Sequence, residues 1–458
     1  MASTRVTRRR ALKIGATAAL PAIAGCGDDG DDGNGGNGPA GPGEITHIVV
    51  LMMENRSYDH LLGSRALEGL PGDGITENMS NPNLDGVAQP VYRETDFCVA
   101  DPPHGWDPSH AQFNEGANDG FVRAYQEEAG AEIAPYVMGY FTREDIPVTH
   151  ALADEYTSCD RWFSSVMGPT WPNRFYLHAA QSEGLKSNDS PQDRLPNIYD
   201  KLDEKGIAWE YYYTDLPFLL LMGGNHMKPA TPNFFDDAAA GTLPQVTVID
   251  PGFGLNDDHP PHHPQLGQQF IAAVYQALAT SPLWEKVLFV ITYDEHGGFF
   301  DHVAPPKTAD DRAAEGFDQL GFRVPTLLVG PYVKKGHVSS VQYDHTSVLK
   351  HIETMFGLDP LTARDAAAND LSDAIDQERL AAGEASAPIT LPSINLSADD
   401  IDPECKTQLR SQKTDLELHF DRVGIPPYYD LRPKRRETAF FIGDYLEKHG
   451  IGSIRRRR

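Results

Sequence analysis

Cysteine is scarce in this chain. Its 458 residues include four, Cys26, Cys98, Cys159 and Cys405. Their spacings suit neither a zinc site nor a disulfide framework. With Cys26 set aside for the reason given below, the remaining three leave room for at most one disulfide and one free thiol. Positive charge is also short. Lys and Arg number 39 against 66 Asp and Glu, a formal net charge of −27, which argues against nucleic acid as a partner. Anionic substrates stay open, because a bound cation inverts the local field. There is no internal repeat, and no apolar run beyond the first 26 residues is long enough to cross a bilayer.

What the chain does contain begins with an address. Arg8-Arg9-Arg10-Ala11-Leu12-Lys13 resembles a twin-arginine export motif, and a mostly apolar stretch, Ile14 to Ala24, follows it. Ile23-Ala24-Gly25-Cys26 then resembles a bacterial lipobox. The expectation is a signal peptide over 1–25, export by the twin-arginine route, and a lipid anchor on Cys26 in the cell envelope. Residues 26–44 are Gly/Asp/Asn-rich, cannot bury a core, and read as a flexible tether. The remainder divides into one large domain, 45–360, and a linker with a helical tail, 361–458.

Within that domain, short β-rich apolar runs at Ile45–Met53, Ala208–Tyr213, Val246–Ile249, Val287–Tyr293 and Val324–Val329 alternate with helical stretches at Phe175–Ser182, Gly267–Ala279 and Ser347–Phe356. This alternation predicts an α/β fold with parallel βαβ units. In such sheets ligands bind beyond the carboxyl ends of the strands. Glu54-Asn55 follows one run and Asp294-Glu295 another. Paired carboxylates at a strand end repel each other unless a cation neutralises them, and carboxylate and carboxamide oxygens are ligands for hard divalent cations. A surface acidic turn is the alternative reading of Asp294-Glu295.

Thr170, in Gly168-Pro169-Thr170-Trp171-Pro172-Asn173-Arg174, reads as the N-cap of a helix with Pro172 in its first turn. A hydroxyl there sits in the positive field of the helix terminus, a place that suits either a plain cap or a nucleophile acting on phosphorus. Of the 17 histidines, His104 and His259 are the candidates to protonate a leaving oxygen. His262 and His263 are expected to be solvated loop residues. Tyr211-Tyr212-Tyr213 and Phe218–Met222 form either core or an acyl- or choline-binding rim, with core favoured because apolar runs usually pack inward.

Together Glu54-Asn55-Arg56-Ser57-Tyr58-Asp59-His60, the T-x-P-N-R motif at Thr170, Asp294-Glu295-His296-Gly297-Gly298 with Asp301-His302-Val303, and Gly321-Phe322-Arg323-Val324-Pro325 resemble the bacterial and plant phospholipase C and acid phosphatase family of the alkaline phosphatase superfamily. The resemblance spans 45 to about 357. It implies an alkaline-phosphatase-like α/β sandwich with a mainly parallel central sheet flanked by helices; the C-terminal helical tail lies beyond it. It implies one divalent metal ion held by Glu54, Asn55, Asp294 and Glu295, with Thr170 as a further ligand and the nucleophile. His104 and His259 match the family's active-site histidines. Arg174 is expected to orient the phosphate or to pair with an acid. His345 is a further candidate ligand by likeness to a His-Thr site of the wider superfamily. The implied substrate is a phospholipid or a small phosphate ester, with phosphomonoesterase activity and non-catalytic binding of phosphate esters as alternatives.

Overall fold

The computed structural model describes residues 42–224, 226–401 and 431–456, together with Leu416, Leu418, His419 and Arg422. The expected signal peptide, most of the tether, Cys26 and Cys405 lie outside the described residues. Cys98 is disulfide-bonded and Cys159 is a buried free thiol.

The apolar runs form a central sheet. Its strands are β1 (His47–Met53), β2 (Thr157–Cys159), β3 (Trp209–Tyr213), β4 (Met227–Pro229), β5 (Val246–Asp250), β6 (Val287–Tyr293), β7 (Leu327–Val329) and β8 (Val338–Ser339). Their spatial order is β8-β2-β7-β6-β1-β5-β3-β4. β1 and β6 are continuous apolar runs, nearly every residue of them buried, as expected of strands covered on both faces. β1 lies between β6 and β5 and is parallel to both.

The run at 324–329 is the antiparallel part of the mainly parallel sheet. Its ordered part, β7, is antiparallel to both β6 and β2. The physical reason is the connection. Between Tyr293 and Leu327 the chain forms turns, an isolated bridge and one short 3₁₀ segment but no crossover helix, and a parallel return needs such a crossover.

Helices cover the sheet. The ones needed here are α1 (Thr170–Ala179), α2 (Pro264–Ala279), α3 (Thr346–Phe356) and α4 (Leu431–His449). α2 is buried along almost its whole length, and α4 packs on it. Gln269 of α2 donates to the carbonyls of Ile394 and Ser453. These belong to a parallel pair, β9 (Ile394–Ser397) and β10 (Gly452–Arg455). Composition suggested a surface linker after 361. Instead the helix Ala363–Ala367 carries a buried Arg364, whose guanidinium pairs with Asp344 at 2.7 Å and donates to the carbonyl of Ser165. Tyr211, Tyr212, Phe218, Leu219 and Met222 are buried core. Among the described residues no helix is long and apolar enough to cross a membrane.

Candidate active site

The sheet register builds the first part of the site. In the β1–β6 pair Met53 stands opposite Tyr293, so the residues that follow, Glu54-Asn55 and Asp294-Glu295, emerge side by side. The ladder continues past the strands. The Asp294 N–H donates to the Met53 carbonyl at 3.1 Å and the Arg56 N–H to the Glu295 carbonyl at 3.0 Å. Asp294 Oδ1 accepts the N–H groups of Asn55 (2.9 Å) and Glu295 (2.7 Å). Asn55 adopts the left-handed conformation, φ 59°, which asparagine tolerates better than most residues. Gly297, at φ 63°, passes so close to the Asn55 backbone that a Cβ would collide with its carbonyl.

Three oxygens of this cradle are buried without a hydrogen-bond partner: Asn55 Oδ1, Asp294 Oδ2 and Glu295 Oε1. An orphaned buried acceptor costs about 1–3 kcal/mol. Arg174 Nε stands 3.5 Å from Asp294 Oδ2, and Asn55 Oδ1 and Glu295 Oε1 are left to a further positive partner. The donor set is oxygen throughout, the chemistry of a hard divalent cation, and the residues fit one. The electrostatics agree. Burial pushes the Glu54 carboxyl well above its usual range, and Asp294, Asp257 and Glu295 add to this against Arg174. Burial likewise raises Asp294, with Arg174 opposing and Glu295 adding. It takes Glu295 to about 7, with His104 opposing. Acids held this way favour a cation over water.

Arg174 lies beneath the cradle, not on its open side. It is fully buried, with Glu54 Oε1 at 3.4 Å, Asp250 Oδ1 at 3.2 Å and Asp294 Oδ2 at 3.5 Å. It also donates to the carbonyls of Met52 and Met53. Of its two expected roles, pairing with acids is the one the structure contains. Thr170 precedes it by four residues, so both side chains leave the same face of α1 one turn apart. The expectation of an N-cap at Thr170 is corrected. Pro169 is the cap, Thr170 opens the helix, and its hydroxyl makes no capping bond. The first-turn N–H of Trp171 is instead satisfied by Asn188 Oδ1 at 2.8 Å. Asn173 shapes the approach by accepting from the Val166 N–H and donating to the carbonyls of Val166, Gly168 and Pro169.

His104 joins this group, its Nε2 3.1 Å from Asn55 Nδ2. Its Nδ1 lies 2.7 Å from the Pro102 carbonyl, which only accepts, so Nδ1 carries a proton and Nε2 is the exchangeable position. Burial would lower His104, but the Glu295 and Asp101 carboxylates and the Pro102 carbonyl raise it to about 9; the Asn55 Nδ2 contact belongs to the neutral ring, in which Nε2 accepts. The His259 ring stands edge-on to His104, centroids 5.8 Å apart. Its Nδ1 meets the Pro260 carbonyl at 2.5 Å, leaving Nε2 exchangeable there too. Asp101 lies between the rings, 3.6 Å from His104 Nδ1 and 3.9 Å from His259 Nε2.

His345 is not a ligand. Trp162 Nε1, which can only donate, points at its Nδ1 (3.4 Å), and its Nε2 lies 2.7 Å from the Asp294 carbonyl. Both ring nitrogens are engaged, Nδ1 by Trp162 and Nε2 by the Asp294 carbonyl. His262 and His263 are not solvated either. His262 pairs with buried Asp257 at 2.7 Å, and His263 caps α2 through Nδ1.

The second halves of the sequence motifs form a separate buried network. Arg323 holds Asp301 at 2.9 Å and Asp59 at 3.0 Å, over the ring of Tyr58. His302 bridges Asp59 (2.6 Å) and Asp73 (3.0 Å). Asp59, Asp301 and His302 are close enough to hold an ion, but the Arg323 guanidinium already pairs with both acids.

Sequence reasoning missed Asp250, Asp257 and Asp101. Asp250 ends β5 as Glu54 follows β1, so the strand-end criterion would have found it. Asp257 accepts the Glu54 N–H through its carbonyl at 2.8 Å, a backbone role without a sequence signature.

Residues 45–359 match the Phosphoesterase family. The chain belongs to that family. It is 35% identical over 394 residues to non-specific phospholipase C6 of Arabidopsis thaliana, covering 76% of this chain and 75% of that one. It is 36% identical over 373 residues to non-specific phospholipase C1 of the same plant, covering 71% and 69%. Phospholipase C B of Mycobacterium tuberculosis is 32% identical over 402 residues, covering 72% and 77%. Among solved structures, a protein of the alkaline phosphatase superfamily from Vibrio parahaemolyticus aligns over 72% of each chain at 11% identity with a TM-score of 0.39. This phosphoesterase is a hydrolase of phosphoric ester bonds.

Proposed function

We propose that the enzyme is a phospholipase C that cleaves glycerophospholipids to diacylglycerol and a phosphorylated head group, with Thr170 as nucleophile and one divalent cation held by Glu54, Asn55, Asp294 and Glu295. The observation that carries the site reading is the set of three unpartnered buried oxygens at the joined ends of β1 and β6. The names of the relatives support the lipid substrate.

When bound, the cation stabilises negative charge on the phosphoryl oxygens and favours a deprotonated hydroxyl beside it. The start of α1 favours the same charge. Thr170 Oγ1 loses its proton to solvent and forms a bond to phosphorus as the bond to the ester oxygen breaks, the head group staying on phosphorus. Nε2 of His104 or His259 gives that oxygen its proton, and water then hydrolyses the phospho-Thr. Arg174 holds Glu54 and Asp294 in place and does not touch substrate.

The same proposal covers the N-terminus: export by the twin-arginine route and acylation of Cys26, which puts the enzyme at a membrane. Radiolabelled palmitate that leaves a Cys26→Ser variant as strongly labelled as the parent would sink that part.

The functional test is an assay of the purified protein on phosphatidylcholine and on p-nitrophenyl phosphate, each with and without chelator. Chelator-sensitive release of phosphocholine supports the proposal. Release of inorganic phosphate alone points to a phosphomonoesterase, and silence on both with added divalent cations points to a binding protein.

A further inference from the structure

The family match ends at 359, yet α4, more than seventy residues later, reaches the loops around the acid cradle. Arg435 Nε meets Asp215 Oδ2 at 2.9 Å, and its Nη2 donates to the Phe253 carbonyl. Asp215 is buried at the start of the loop after β3. Its Oδ1 accepts the N–H groups of Leu216 (2.7 Å) and Phe253 (2.9 Å). One carboxylate therefore ties the loop after β3 to the loop after β5, and Arg435 closes the tie. Gly254 sits at φ 94°, and a Cβ there would lie 2.6 Å from the guanidinium carbon of Arg435, so this turn has a glycine where the arginine enters.

The tied loops continue to the cradle. Phe253 and Phe218 flank the Arg174 guanidinium at 4.9 and 5.8 Å. The Gly254 N–H donates to Asp257 Oδ2 at 2.6 Å, and the Asp257 carbonyl accepts the Glu54 N–H. The chain Arg435, Phe253-Gly254, Asp257, Glu54 is thus continuous in hydrogen bonds and backbone.

We propose that Arg435 is a positioning residue for the phosphoester hydrolysis: through Asp215 and the Phe253 carbonyl, the C-terminal helix fixes the loop that seats Glu54 and covers Arg174. The inference rests on the proposed cradle. Its energetic basis is that Asp215 is wholly buried. Burial raises its carboxyl to about 6, with Arg435 opposing, and a buried acid deprived of its cation perturbs everything it binds.

The test uses the full chain. Arg435→Ala should lower kcat by about tenfold to a hundredfold with little change in KM, the cost of a sub-ångström misplacement. Amide hydrogen exchange should speed up at Phe253, Gly254 and Glu54. Arg456→Ala, which removes the exposed pair with Asp444 and a stack on Phe440, should change neither. Arg435→Lys, able to reach one partner but not hold both, should fall between. If Arg435→Ala does not fold, Arg435→Lys and Asp215→Asn carry the test, since Asn still accepts the two N–H groups without the charge. Wild-type kcat and wild-type exchange at Phe253–Gly254 in those variants would overturn the proposal. Faster exchange at Glu54 alongside full activity of Thr170→Ala would instead sustain the Arg435 link and sink the catalytic reading of Thr170.

Discussion

The Asn55 N–H donates to Asp294 Oδ1 at 2.9 Å across 239 residues of sequence. That bond turns two strand ends into one cradle. It leaves Asn55 Oδ1 and Asp294 Oδ2 without a hydrogen bond, Asp294 Oδ2 facing only the Arg174 Nε at 3.5 Å, and so open to a cation. The site is stable as an arrangement of backbone and unstable as an arrangement of charge, a combination expected where function takes precedence over stability.

Asp294→Asn separates these two aspects. The amide oxygen can still accept from Asn55 and Glu295, while one of the crowded carboxylates disappears. The cation-free protein should melt at a higher temperature than the wild type. Divalent-cation affinity should fall by at least about tenfold, the lower end of what losing even an outer contact to a metal costs. Calorimetric titration and melts with and without cation read both, and unchanged cation affinity would remove Asp294 from the ligand set.

Replacing Thr170 by Ala should abolish turnover, with kcat down by on the order of a thousandfold or more, as for other lost nucleophiles. The denaturant midpoint should stay near the wild-type value, because the hydroxyl caps nothing. Thr170→Ser should retain measurable activity and accumulate a phosphorylated enzyme after acid quench. Near-normal turnover of the Ala variant would refute the assignment.

Arg174→Ala leaves Glu54, Asp250 and Asp294 buried without their common partner. A loss of about 3–5 kcal/mol is expected for breaking such a buried network. Saturating divalent cation should restore part of it, because it neutralises two of the same acids. Urea unfolding at neutral pH, with and without cation, measures the difference. A loss that cation leaves untouched would separate Arg174 from the cradle.

His302 gives a pH signature away from the catalytic groups. Burial would lower it, but the bond to Asp59 and the nearby Asp301 raise it to about 9, with Arg323 opposing. Its folded value thus lies above the unfolded value of about 6.5. Its contribution is complete below about 6.5 and is lost as pH rises through about 9. The melting-temperature gap between wild type and His302→Gln should therefore be widest near pH 6 and close by about pH 9.5. A gap that widened with pH would contradict the assigned charge.

Much of the site was legible before any fold was known. Continuous apolar runs announced β1 and β6, and the residues after them are hard-cation ligands whatever their surroundings. The proline and glycine positions marked the start of α1 and the turn after Asp294-Glu295. What failed to read was everything decided by a partner remote in sequence. His345 looks like a ligand until Trp162 and the Asp294 carbonyl occupy both nitrogens. Thr170 looks like a cap until Asn188 supplies the acceptor. The segment after 361 looks like a solvated linker, because its small and charged residues give no hint that Arg364 and Arg435 are half-buried or buried against distant acids.

The chain by itself therefore determined which residues have the chemistry: paired oxygen donors at strand ends, a hydroxyl at a helix start, histidines in proline-rich loops. These are properties of residue type and local period. Tertiary structure alone decided which donors remain unspent. Whether a buried oxygen or ring nitrogen is free for catalysis depends on what hydrogen-bonds to it, and here those partners come from up to 264 residues away. Local pattern cannot carry that information, because sheet register and loop packing set it only once the whole core has closed.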